Sequence, residues 1–235
     1  MNIVLLEDKD FLSPNQIQLS GRRFQHISQV HRIEPGETLR TGKINGLMGT
    51  GTVSFIDQNS VVIDVVLDTP PPPQLPLTLL MGLPRPKMLK RIFQTCATMG
   101  VRELILINSY RVEKSYWQTP FLQTDKIREH LILGLEQGVD TQLPKVSLQK
   151  RFKPFVEDLL PALCDNKRTL VAHPYQASPC PPAELRETVL AIGPEGGFIP
   201  YEIDKLSETG FTAIELGSRI LRVETALPVL LAKLF

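Results

Sequence analysis

The chain has 235 residues, 42% of them hydrophobic and 22% charged, so it can bury a core large enough for one big domain or two smaller ones. Lys and Arg number 26 against 25 Asp and Glu, a net charge of +1, which excludes the overall field as a source of attraction to nucleic acid and leaves only local patches. No charged segment followed by an apolar one opens the chain, and no apolar run approaches the roughly 20 residues that span a bilayer, so a soluble, cytoplasmic protein without a membrane partner is expected.

In chain order, the first elements are short β-rich pieces, "NIVLLE", "ETLRTG", "GTVSFID" and "SVVIDVVL", separated by "EPGE", "INGLMGTG" and "DQNS". This punctuation predicts a small antiparallel barrel over residues 1–70. The run "TPPPPQLP" cannot occupy a helix interior or a central strand, because proline lacks the amide donor, and it predicts a semi-rigid linker at 71–76. From 77 to 235 the texture becomes α/β. Strands "LTLLMGL", "ELILIN", "TLVAHP", "TVLAIG" and "TAIEL" alternate with helical stretches, which predicts a mainly parallel sheet. A helix over Lys87–Met99 carries Leu89, Ile92, Phe93 and Cys96 on one stripe and ends at Gly100; a second, over Thr124–Gln137, spaces Ile127, Leu131 and Leu135. Cys96, Cys164 and Cys180 are odd in number and far apart, and the four histidines are scattered, so neither a disulfide framework nor a metal site is expected.

Chemistry concentrates in two glycine loops. "GPEGGF", Gly193–Phe198, follows the strand "TVLAI", and in open α/β sheets ligands lie beyond the carboxyl ends of strands. A helix is expected to start near Pro200 and run to Gly210, with Ile203 and Leu206 inward. The loop matches neither G-x-G-x-x-G nor a P-loop, and Glu195 opposes a phosphate, so a ligand such as adenosine, or one bearing a sulfonium, suits it better than a phosphate; a tight turn with no ligand is the alternative. The second loop lies in "ELGSRILRVETALPVLLAKLF", where Leu216, Gly217 and Ser218 precede Arg219 and Arg222 and then Glu224 and Thr225. Thr225 is expected to cap a final helix with Pro228 still in its first turn, which leaves both arginines in the loop. Two polar glycine loops at neighbouring strand ends predict a site.

"IGPEGGF" followed by "LGSRILRVETA" is similar to the paired signature of the SPOUT-superfamily methyltransferases that modify N3 of a uridine in small-subunit (16S) ribosomal RNA. The resemblance extends through "MGV", "SYRVEK" and "LEQ" in the middle region and covers essentially the whole chain. It implies a PUA-like, RNA-binding β-barrel followed by a methyltransferase domain with a C-terminal trefoil knot, S-adenosylmethionine bent within that knot, and a homodimer. By motif, Gly193, Pro194, Glu195, Gly196 and Gly197 would line one cofactor loop; Leu216, Gly217, Ile220, Leu221 and Arg222, with Glu224 and Thr225 beside them, the other; and His173 a third. Because the sulfonium makes the methyl group electrophilic, no metal is required. A guanidinium near the uracil carbonyls would favour the reactive anion, with Arg222 the first candidate and Arg219 the second, unless each is spent in a salt bridge with Glu224 or Glu195.

The substrate implied is small-subunit ribosomal RNA or the 30S particle. Arg22, Arg23 and Arg32 in "GRRFQHISQVHRI", and Arg85, Lys87, Lys90, Arg91, Arg111 and Lys114 in the second domain, are the candidate phosphate contacts. The chain departs from the resemblance where "EQGVDTQLP" has Asp140 and Gln142 in place of two arginines, and where "QTCATMGV" has Thr95 and Thr98 for a lysine and a glutamate. These changes keep two alternatives open: a methyltransferase acting on another RNA such as transfer RNA, and a non-catalytic RNA-binding assembly factor.

Overall fold

A computed structural model describes residues 2–31 and 33–235. The chain forms two compact units, one made of Met1–Pro73 with Ile132–Leu143, the other of Gln74–Leu131 with Pro144–Phe235.

In the first unit, strands β1 (Val4–Leu6), β2 (Phe11–Ser13) and β3 (Gln16–Ser20) precede helix α1 (Gly21–Gln25), which runs into a wider turn to His31, and β4 (Thr38–Lys43), β5 (Met48–Ile56) and β6 (Ser60–Thr69) follow. They build a sheet of order β1-β4-β5-β6-β3-β2. Its pairs are antiparallel except β1 with β4, which is parallel and departs from the expected all-antiparallel arrangement. Period-two alternation turns Ile17 and Leu19 of β3, and Val61, Ile63 and Val65 of β6, to one face, where Phe24 and Ile27 from the helical segment cover them. Gly21–Gln25 is therefore a helix packing on a sheet, with Phe24 in the core.

The segment after residue 131 also belongs here, although the expected boundaries put it in the second domain. Thr141 is fully buried. Its hydroxyl donates to the Gly46 carbonyl at 2.6 Å, its carbonyl accepts the Asn45 amide at 2.8 Å, and the Asn45 side chain accepts the Leu143 amide at 3.0 Å. Asp140 turns the backbone by accepting the Thr141 and Gln142 amides on one oxygen, at 2.6 and 2.9 Å.

The second unit runs β7 (Leu75–Gly82), α2 (Pro86–Thr98), β8 (Val101–Ile107), α3 (Thr124–Gly138, whose last turns belong to the first unit), β9 (Lys145–Gln149), α4 (Phe152–Pro154), α5 (Leu160–Cys164), β10 (Arg168–Ala172), β11 (Ser178–Pro179), β12 (Thr188–Ile192), α6 (Pro200–Glu208), β13 (Thr212–Glu215) and α7 (Val223–Leu234). The sheet order is β11-β13-β10-β12-β7-β8-β9 and every neighbouring pair is parallel, so all carboxyl ends share one edge. β12 is buried along its whole length, as a central parallel strand covered on both faces requires. Leu89, Ile92, Phe93 and Cys96 of α2 are buried, as their spacing predicts, and Pro86 occupies the first turn, where its missing amide costs nothing.

The last helix differs from expectation. It starts at Val223, because the Arg222 carbonyl accepts the Thr225 and Ala226 amides at 2.9 and 2.8 Å, so Thr225 lies inside the first turn and Pro228 lies inside the helix. A proline there removes the amide that would meet the Glu224 carbonyl.

Candidate active site

The loops after β10, β12 and β13 enclose a cavity of about 300 Å³ in the second unit. His173 and Tyr175 come from the first loop, Gly193–Phe198 from the second, and Leu216, Gly217 and Arg219–Leu221 from the third; Ala226 and Leu230 of α7 supply an apolar wall. Most of the lining is backbone and aliphatic surface, with Arg111 and Arg219 as its two guanidinium groups.

The middle loop is held from several directions. The Gly197 amide closes a turn on the Pro194 carbonyl at 2.7 Å, with Gly197 at a φ of 71° that a side chain resists. Pro194 rests on the end of β7 at Gly82, where a β-carbon would lie 2.5 Å from Pro194 Cδ, so a bare backbone at residue 82 is what lets the loop lie down. Glu195 is exposed and spends a carboxylate oxygen on the Arg85 backbone amide at the start of α2, at 2.9 Å. Arg111 donates to the Gly196 carbonyl.

His173 enters the lining as expected. Its amide donates to the Ile214 carbonyl at 3.0 Å, and its ring stands edge-on to Tyr175 at 5.7 Å between centroids. Burial pushes the imidazole pKa down, so the ring is held neutral at physiological pH.

The third loop divides the residues that the sequence groups together. Arg219 and Ile220 line the cavity and are exposed, Ile220 at 72%. Arg222 does not line it: its backbone begins α7 and its side chain is exposed, while Glu224 and Thr225 sit in the helix's first turn, outside the lining. Neither Arg219 nor Arg222 forms an ion pair among the described residues, and Glu195 is engaged elsewhere, so the salt bridges weighed as their alternative role do not form.

The candidate phosphate contacts separate as well. Arg23 is not a surface cation: it is clamped on buried Asp10 by two bonds of 2.6 and 2.7 Å and donates to the Leu5 carbonyl at 2.8 Å. Arg22 makes a similar pair with Glu136, at 2.7 and 3.0 Å, though half of its side chain faces solvent. Arg32 lies outside the described residues. Arg85, Lys87, Arg91 and Lys114 are exposed, and Lys90 lies over the Phe121 ring at 4.5 Å. Arg111 belongs to the cavity rather than to an outer basic face. Tyr175 and Arg111 are cavity residues that sequence reasoning missed or misplaced, and it also missed Gly82, which lies outside the lining under Pro194; "SYRVEK" gave a signal for Arg111 alone.

A parallel α/β unit with a small-molecule-sized cavity among its strand-end loops, edged by the Arg111 and Arg219 guanidinium groups, has the layout of an enzyme domain. Residues 70–234 match the model of the RNA methyltransferase domain family, and the chain belongs to that family. A ribosomal RNA small subunit methyltransferase E of Treponema pallidum is 31% identical over 96% of this chain and 87% of its own, and one from Borreliella burgdorferi is 24% identical over 96% and 94%. The fold extends along the chain's whole length. A solved ribosomal RNA small subunit methyltransferase E from Neisseria gonorrhoeae, bound to S-adenosylmethionine, aligns with a TM-score of 0.77 at 20% identity over 99% of this chain and 95% of its own. A Legionella pneumophila methyltransferase, solved in complex with the same cofactor, gives 0.72 at 24% identity over 98% and 97%.

Proposed function

We propose that this protein transfers a methyl group from S-adenosylmethionine to N3 of a uridine in small-subunit ribosomal RNA. The observation that carries the reading is the backbone-lined cavity formed by the loops after β10, β12 and β13. Its volume of about 300 Å³ sits at the lower end of the range for small-molecule pockets. The loops supply amides and carbonyls for a nucleoside edge and hydroxyls, Ala226 and Leu230 supply apolar surface, and the carboxylate of Glu195 at the rim suits a sulfonium better than a phosphate. Bound there, the cofactor supplies an electrophilic methyl group and a neutral leaving sulfide.

The chain's own groups then position the uracil and stabilise its anion. Arg219 is the leading candidate, because it lines the cavity and has no competing partner among the described residues; Arg222 is second, because its side chain stands outside the lining. A guanidinium beside the uracil carbonyls lowers the cost of losing the N3 proton and takes no proton itself, so that proton passes to solvent before the nitrogen takes the methyl group. A neutral His173 puts no cation beside the sulfonium. RNA is gripped by exposed Arg85, Lys87, Arg91 and Lys114.

The reading extends to a trefoil knot built from the last strands, a PUA-like first unit, a homodimer, and action on the 30S particle in the cytoplasm. For the knot, the support is the insertion of β12 between β10 and β7, with three successive strand-end loops crowded around one cavity. Asp140 and Thr141, which stand in the segment that departs from the family resemblance, are used to build the first unit, so the departure has a structural cause and does not by itself favour another RNA.

The test is transfer of labelled methyl from S-adenosylmethionine to 30S particles and to free ribosomal RNA lacking the modification, followed by digestion to nucleosides. Label in N3-methyluridine supports the reading, label in another nucleoside or only in transfer RNA redirects it, and no transfer to any RNA refutes it.

A further inference from the structure

A carboxylate withdrawn from water needs its full set of donors. Glu202, in the first turn of α6, is 2% exposed and forms no ion pair among the described residues. Its oxygens accept three hydrogen bonds: Oε2 from the Ser109 hydroxyl at 3.1 Å and the Ile199 amide at 3.0 Å, and Oε1 from the Tyr110 amide at 2.8 Å. Ile199 closes the glycine loop after β12, whereas Ser109 and Tyr110 open the loop after β8. β8 and β12 are not neighbours, since β7 lies between them, so this one side chain joins two loops across the end of a third strand. The next residue, Arg111, reaches back to the Gly196 carbonyl, and its side chain lies so close that a β-carbon at 196 would be 2.8 Å from Arg111 Cδ.

We infer that Glu202 is a positioning residue for the cofactor loop: it fixes the 109–111 turn so that Arg111 holds the Gly196 carbonyl and keeps the Gly193–Phe198 loop in its ligand-binding shape. The inference rests on the reading that S-adenosylmethionine occupies the cavity. Glutamine is nearly isosteric but turns one acceptor into a donor, and all three groups around Glu202 donate, so at least one bond is replaced by a donor facing a donor.

The experiment is a double-mutant cycle of Glu202→Gln with Arg111→Met, reading S-adenosylmethionine affinity by calorimetry and the KM for cofactor and RNA separately. Each single variant is expected to weaken cofactor binding on the order of tenfold, and the double variant no more than the weaker single, because both break one linkage. The KM for cofactor rises while that for RNA stays near wild type. Ser109→Ala, which removes one donor and leaves the carboxylate in place, gives a smaller loss that also vanishes in the Arg111→Met background; it carries the test should Glu202→Gln fail to fold. Losses that multiply in the double variants, or Glu202→Gln binding as wild type does, overturn the inference while leaving the cofactor reading intact. Failure of the wild type itself to bind S-adenosylmethionine sinks both.

Discussion

Two pairs of arginines, one in each unit, show how little a residue type says without its partner. Arg22 and Arg23 lie in a basic stretch that reads as an RNA-binding face, yet each is held by a carboxylate that is nearly inaccessible, Asp10 and Glu136, and Arg23 itself is only 17% exposed. Arg219 and Arg222 lie in a loop with a glutamate two residues on, where ion pairing is the obvious expectation, yet neither finds a partner among the described residues. In the first unit the guanidinium groups are consumed by the fold; in the second they remain available to a ligand. Mutation should therefore split stability from activity along the same line.

The largest effect is expected from Arg23→Ala. It strands Asp10 in a buried site, and losing one partner of such a pair costs about 3–5 kcal/mol, measurable as a lower urea midpoint. Such a loss of stability also disqualifies charge reversal at Arg23 as a test of RNA binding. Arg219→Ala is the converse case. It should change stability by no more than about 0.5 kcal/mol, as surface substitutions do, while lowering kcat for methyl transfer on the order of a hundredfold, as loss of a group aimed at developing charge does. A fall in its unfolding midpoint comparable with that of Arg23→Ala would erase the contrast.

Gly82→Ala tests the second unit's geometry more gently. The added methyl meets Pro194, so an overpacking cost of about 1–3 kcal/mol should appear together with weaker S-adenosylmethionine binding, although residue 82 is outside the cavity lining. The smallest effect concerns Asp140. Burial raises its carboxyl pKa above the ordinary 3.8, so the folded state holds the proton over a range where the unfolded chain has released it. Its contribution to stability is thus largest at acid pH and falls as pH rises through the raised value. Asp140→Asn keeps the oxygen that accepts the Thr141 and Gln142 amides and removes the charge. At pH 7 the variant should be at least as stable as wild type, with the advantage disappearing below about pH 3.8; a variant clearly less stable at neutral pH would contradict this account.

What sequence reading captures here is local. Alternating apolar residues place β6, an unbroken apolar run places β12, and a helical stripe ending at Gly100 places α2, because each signal lies within one element. The two glycine loops were legible for the same reason: glycine and proline constrain their own backbone. What escaped depends on partners distant in sequence. Arg22 meets a residue 114 positions away, Glu202 meets residues 92 and 93 positions away, and Gly82 is defined by a proline more than a hundred residues later. The start of α7 lies about one turn before the position that Thr225 marks as a good cap by type, because the Arg222 carbonyl already accepts the first helical amides. The grouping of Ile132–Leu143 with the first unit is invisible in the sequence because a helix that continues past residue 131 has no break in its pattern there.

The central claim is tested most directly by nucleoside mass spectrometry of small-subunit ribosomal RNA from cells lacking this gene, complemented with wild type, Arg219→Ala or nothing. The account predicts that N3-methyluridine is absent without the gene, restored by wild type, and much reduced with Arg219→Ala at equal protein level. Unchanged N3-methyluridine in the deletion strain would contradict it.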